Sequence, residues 1–166
     1  IEANRGNFES ARSALNDFQA VLVALKFDGL SFQVPLLSGA ILMEEENYAE
    51  AAEHLALAIK QVDNSFIAGE INAYGMSSLL ALLAQAQILS GELDAAEETI
   101  ERGFRSDPNS AQLWTERARL QDVRGLSGLA QASANYALTI WADADPRLIE
   151  LQDLQELLGE ITRKGP

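Results

Sequence analysis

The stretch from Gly91 to Pro108, GELDAAEETIERGFRSDP, decides the fold of this chain. Most of it favours helix, yet Gly103 falls in mid-helix, where glycine costs about 1 kcal/mol relative to alanine. Ala96 and Gly103 are 7 residues apart, so they lie on one helix face, two turns apart. We therefore expect a second helix to pass close to this face, because only a small residue fits where two helix axes approach closely.

The same pattern recurs along the chain. A turn is followed by a large apolar residue two positions on and by alanine three further on, in four segments: GNFESARSALNDF from Gly6, ENYAEAAEHLALAI from Glu46, GELDAAEETIERGF from Gly91 and GLSGLAQASANYAL from Gly125. The last copy departs from it, with Leu126 and Ser127 after the turn. A second helical pattern precedes each of the last three turns, so each unit reads as helix, short turn, helix.

This pattern resembles the tetratricopeptide repeat family. The residues that carry the resemblance are Trp114 with Ala118, Leu83 with Ala84, Ala96, Ala130, Ala137 and Pro108. The resemblance implies an all-α fold, a right-handed α-α superhelix of helix-turn-helix units with a C-terminal capping helix. Arg117 departs from the family pattern, which has leucine there. The turns are 40, 45 and 34 residues apart, and the longer spacings also resemble the helical-repeat sensor domains of large bacterial transcription activators.

We predict one helical-repeat domain over residues 1–166. It comprises a partial first unit at 1–27, units at about 31–62, 76–108 and 111–142, and a capping helix at 147–162 with an apolar stripe of Leu148, Leu151, Leu154 and Leu158. The helices are expected at 7–26, 33–45, 48–62, 76–90, 93–105, 111–124, 126–142 and 147–162. Because the chain begins with Ile1, we expect it to be a piece of a longer protein.

The composition of the chain disfavours several classes of function. The formal net charge of −13 disfavours binding to nucleic acid and to anionic membranes, and no apolar run is long enough to span a membrane. There is no cysteine, and His54 is the single histidine. No catalytic or phosphate-binding motif is present, so we expect no enzyme activity, no cofactor and no metal. We expect a soluble protein, and the lack of cysteine is compatible with the cytoplasm and with the periplasm alike.

The resemblance implies that the first helix of each unit lines a concave groove that binds ligands. The residues that would face it are Gln33, Leu36, Leu37, Ala40, Met43, Ser78, Ala81, Gln85, Ile88, Gln112, Thr115 and Arg119. The chain is then a non-catalytic protein-protein interaction module or scaffold that binds a peptide or helical segment of a partner. The alternative is a sensor or regulatory segment of a larger bacterial regulator, such as a transcription activator or kinase. The oligomeric state stays open.

Arg119 is the one cation among these positions, so the carboxylate clamp of chaperone-binding family members is absent. Arg119 would instead orient a partner through an acidic or carbonyl group, and the acidic surface favours a partner with basic flanks. Three explanations of the apolar groove positions stay open. A partner segment covers them, the chain's own segment NSFIAGEINAYGM at 64–76 covers them, or they belong to the core between helices.

Overall fold

The structure is a computed structural model that describes residues 7–26, 28–64 and 73–164. These residues form eight α-helices and a short 3-10 turn at Asp28–Leu30, and the all-helical prediction is confirmed for them. The helices are α1 Phe8–Leu25, α2 Gln33–Glu44, α3 Tyr48–Asp63, α4 Ala73–Ser90, α5 Leu93–Ser106, α6 Ala111–Val123, α7 Ser127–Ile140 and α8 Ile149–Lys164. The predicted tail at 1–5 and most of the segment at 64–76 lie outside the described residues.

Local sequence explains where the helices begin and how the turns between them close. The side chain of Asn7 accepts a hydrogen bond from the backbone N–H of Ser10 at 3.2 Å, and Ser110 does the same for Leu113 at 3.4 Å. Such caps satisfy backbone donors at the start of a helix that have no partner within it. Gly91 and Gly125 adopt positive φ angles of 88° and 73°, a conformation that glycine alone adopts readily. These two glycines therefore set the α4–α5 and α6–α7 turns.

The chain divides into two compact units, and the first contains α1, α2 and α3. Helices α2 and α3 pack closely at Gly39, where an added Cβ would lie 2.7 Å from Cγ of Leu55. The apolar core here includes Ile41, Leu42 and Ile59. Helix α1 contributes one buried residue, Leu22. The pairing of α2 with α3 therefore provides most of the described core of this unit.

The second unit contains residues 73–88 of α4 and all of α5 to α8, and its first core lies where α4, α5 and α6 meet. The buried residues are Ala84, Ile88, Ala96, Ile100 and Leu120. An added Cβ at Gly103 would lie 2.5 Å from Cδ1 of Leu113 on α6. The predicted close approach at Gly103 is therefore confirmed, and the leucine side chain of α6 occupies the space that glycine leaves free.

Helices α6, α7 and α8 enclose the second core of this unit. Alanines of α6 and α7 supply one side, and α8 supplies large residues on the other: Ala118, Ala130, Ala134 and Ala137 against Leu154, Leu157 and Ile161. The apolar stripe predicted for α8 was shifted, because the buried residues of the helix are Leu151, Leu154, Leu157 and Ile161.

The start of α8 was also misplaced at Arg147. The helix begins at Ile149, because Asp145 closes a turn before it. Oδ1 of Asp145 accepts a hydrogen bond from the backbone N–H of Arg147 at 2.9 Å. An aspartate side chain that accepts a hydrogen bond from the backbone N–H two residues ahead stabilises a tight turn there, so the helix begins only after it.

Candidate functional site

A cavity of about 230 Å³ opens between α4, α6 and α8 in the second unit. Helix α4 contributes one wall and α6 contributes the other, and Trp141 and two acids of α8 complete the lining. The lining residues are Ser78, Ala81, Leu82, Gln85, Gln112, Thr115, Glu116, Arg119, Trp141, Glu150 and Asp153. We refer to this site as the α4–α6–α8 cavity.

Six residues expected from the sequence to face a groove line this one cavity. They are Ser78, Ala81, Gln85, Gln112, Thr115 and Arg119. Ile88 does not join them, because it is buried in the core between α4, α5 and α6. The repeat spacing thus brings the first helices of two successive repeats together, whereas Ile88, about one turn beyond Gln85 along α4, packs into the core instead.

The other five predicted residues belong to α2 in the first unit. Gln33, Leu36, Ala40 and Met43 are half-buried there, and Leu37 is 44% exposed. Helix α2 buries a different face, formed by Pro35, Gly39, Ile41 and Leu42, against α3 and α1. These five side chains are therefore not part of that buried face.

Two hydroxyl groups that line the cavity donate hydrogen bonds to other groups of the chain. The hydroxyl of Ser78 donates to Oε1 of Gln112 at 2.8 Å, which ties α4 to α6. The hydroxyl of Thr115 donates to the carbonyl of Ala111 at 2.9 Å. Apolar wall is supplied by Ala81, and the half-buried Leu82 and Trp141. The cavity therefore presents apolar surface beside polar side chains, two of which already donate hydrogen bonds within the chain.

A buried ion pair lies in the wall of the cavity. Nε of Arg119 donates to Oε2 of Glu116 at 3.1 Å, and the Glu116 side chain is 8% exposed. Burial raises the pKa of Glu116, the charge and hydrogen bond of Arg119 oppose this, and the negative charge of Asp153 adds to it. No other described residue bonds the guanidinium of Arg119. Its two terminal nitrogens therefore have no hydrogen-bond partner among the described residues.

Glu150 and Asp153 bring two exposed carboxylates from α8 to the cavity. With Glu116 ionised, the cavity carries three negative charges and one positive charge, so the site attracts cations. Analysis of the sequence missed Leu82, Glu116, Trp141, Glu150 and Asp153. The repeat pattern predicts inward-facing positions only for the first helix of each unit. Helix α8 was interpreted as a capping helix, so none of its residues was expected at a binding site.

Two kinds of feature were not found among the described residues. These residues include no group of three His, Cys, Asp or Glu side chains able to hold a metal ion. No helix in the described ranges has the length and apolar character that crossing a membrane requires.

Comparisons with known proteins identify the repeat. A family model described as tetratricopeptide repeat matches residues 42–120. The solved structure of the TPR domain of OM64 from Arabidopsis is similar, with a TM-score of 0.59 and 16% sequence identity. The match covers 84% of this chain and 99% of that domain. Among curated proteins there is no match. Residues 42–120 therefore match the tetratricopeptide repeat model, and the chain has a tetratricopeptide-like fold of sequentially paired helices.

Proposed function

We propose that this tetratricopeptide repeat chain binds a peptide or helical segment of a partner protein in the α4–α6–α8 cavity. Domains of this family are generally protein-protein interaction modules and typically non-catalytic. One observation carries the assignment to this site. The first helices of two successive repeats share a cavity that combines apolar wall, a buried ion pair and exposed carboxylates. Concave surfaces that hold polar groups in fixed positions beside apolar surface are typical of binding sites.

The chemistry of the lining defines the segment that fits. Ala81, Leu82 and Trp141 suit an apolar side chain, and Glu150 with Asp153 suits a neighbouring lysine or arginine. The free guanidinium nitrogens of Arg119 then donate to a backbone carbonyl of the segment rather than to a carboxylate, because two acids stand beside them. The partner is therefore an amphipathic segment with a basic flank, and the net charge of −13 speeds its association at low salt.

The proposal is tested by selecting ligands from a random peptide library displayed on phage, with the folded chain immobilised. The selected peptides should combine apolar residues with lysine or arginine. Their affinity, measured by fluorescence anisotropy, should fall about ten-fold in Asp153→Lys, because the change places a positive charge beside the basic flank. Raising the salt concentration should weaken binding to the native chain.

The matched control is Glu98→Lys, which makes the same charge change at an exposed position of α5 that does not line the cavity. It should keep nearly full affinity. Equal loss in both variants would mean that net charge alone attracts the peptides. Full retention in Asp153→Lys would place binding elsewhere on the chain.

A further inference from the structure

The α4–α6–α8 cavity carries more negative charge than its own residues neutralise. Arg119 is the single cation among the described residues that line it, and this arginine is bonded to Glu116 at 3.1 Å. Glu150 and Asp153 are exposed on α8, and neither carboxylate forms a hydrogen bond or an ion pair with a described residue. Two negative charges therefore line the cavity without a counter-charge from the described part of the chain.

Glu116 adds an acceptor in the wall of the cavity. Its side chain is 8% exposed and lines the cavity. Arg119 bonds only Oε2, and no described residue donates a hydrogen bond to Oε1. Oε1 does not belong to the unbonded side-chain atoms that are closed to solvent. It can therefore accept a hydrogen bond from a group in the cavity.

Apolar surface lies in the same cavity as these carboxylates. Ala81 and Leu82 of α4 supply part of it, and Trp141, which follows α7, supplies the rest. An aliphatic chain that ends in a cation buries its methylene groups along such surface, and the face of an indole ring attracts cations. The lining thus suits a ligand group with an apolar stem and a positively charged end.

We propose that this cavity binds a primary ammonium group carried on a short aliphatic chain, as in the side chain of lysine. The inference rests on the proposed function, because it names the group of the partner segment that enters the same cavity. The methylene groups pack against Leu82 and Trp141, and the ammonium group donates to the carboxylates of Glu116, Glu150 and Asp153.

Lysine suits these acceptors better than arginine does. The carboxylates come from two helices, Glu116 from α6 and the other two from α8. An ammonium group directs three N–H donors outward from one small nitrogen, whereas the donors of a guanidinium group lie in one plane and suit a single carboxylate. The guanidinium of Arg119 also occupies the wall beside Glu116 already. We therefore expect the cavity to discriminate between the two basic side chains.

The probes are lysine and arginine, each blocked with an acetyl group and a methylamide, and butylamine, a free amine with the same aliphatic chain as lysine. In nitrogen-15 NMR titrations of the full chain, blocked lysine should shift the indole N–H signal of Trp141 saturably, with an affinity on the order of millimolar. Blocked arginine should bind about five-fold more weakly. Tighter binding of blocked lysine than of butylamine would assign the ammonium group to a peptide, and the reverse would assign it to a free amine.

Asp153→Asn removes one negative charge at nearly constant size and should weaken the binding of blocked lysine by about five-fold. Asp17→Asn makes the same change at an exposed position of α1 and should leave the affinity unchanged. The inference is overturned if blocked lysine gives no saturable shift, if blocked arginine binds equally well, or if Asp153→Asn binds blocked lysine as tightly as the native chain does.

These results separate the inference from the proposed function. If selected peptides bind in the cavity while blocked lysine and blocked arginine bind equally, the inference fails and the proposed function stands. If blocked lysine binds as expected but no peptide is selected, the proposed function fails and the ammonium site stands.

Discussion

Gly103 and Gly159 both stand inside helices, yet their surroundings differ completely. A Cβ at Gly103 would meet Cδ1 of Leu113 at 2.5 Å, whereas nothing lies within 4 Å of one at Gly159. Gly103→Ala should therefore lower the free energy of unfolding by about 1–3 kcal/mol, as overpacking does. Gly159→Ala should raise it by up to about 1 kcal/mol through helix propensity. Urea melts measure both, and a stabilising Gly103→Ala would refute the close approach of α5 and α6.

Ala96 and Ala130 test the same principle at the small positions of two repeats. Both are fully buried, with 0% exposure. Ala96→Leu and Ala130→Leu should each cost about 1–3 kcal/mol of unfolding free energy. Glu98→Leu, at an exposed position of the helix that carries Ala96, should change it little. Equal and small effects in urea melts at all three positions would mean that these alanines do not lie at helix contacts.

Glu116 predicts a pH dependence. Burial raises its pKa in the folded chain, so its proton stabilises the folded state at low pH, and that contribution is lost as the pH rises through the folded pKa. The amide in Glu116→Gln stays neutral throughout. The unfolding free energy of this variant minus that of the native chain should therefore increase from about pH 4 towards neutral pH.

Chemical denaturation at a series of pH values checks this, with Glu98→Gln as the exposed control. A difference that falls as the pH rises would mean that the ion pair with Arg119 outweighs the effect of burial. Glu98→Gln should show no comparable trend.

Helix α8 completes the core of the second unit. Leu154 is 0% exposed and packs among the alanines of α6 and α7. Leu154→Ala should lower the unfolding free energy by about 2–5 kcal/mol. Leu129→Ala, on α7 at 56% exposure, should cost far less. Similar small losses in thermal melts of the two variants would show that α8 does not support this core.

At the level of helices, most of the architecture could be predicted from the sequence. Glycine turns and small residues at fixed spacing locate each helix to within a few residues, because close packing leaves few alternatives. Arg117 illustrates what the repeat pattern misses. Its guanidinium lies 5.5 Å from the ring centre of Phe104 and 5.6 Å from that of Trp114, and it pairs with Glu101 at 3.2 Å. A cation stacked on two aromatic rings thus occupies the position that is usually leucine.

At the scale of the whole chain, the candidate sites were less predictable than the fold. The repeat pattern supplies the residues of α4 and α6 that share a cavity. It cannot supply Trp141 or Asp153, which reach the same cavity from outside the pattern.

The two tryptophans of the chain allow the most direct test of the proposed peptide site. Trp141 lines the α4–α6–α8 cavity, whereas Trp114 contacts the rings of Phe104 and Tyr136 and does not line it. Each indole N–H gives one resolved signal in a nitrogen-15 NMR spectrum. On titration with a peptide selected by the native chain, the Trp141 signal should shift saturably while the Trp114 signal stays in place. A saturable shift of Trp114 with Trp141 unchanged would contradict the proposed function.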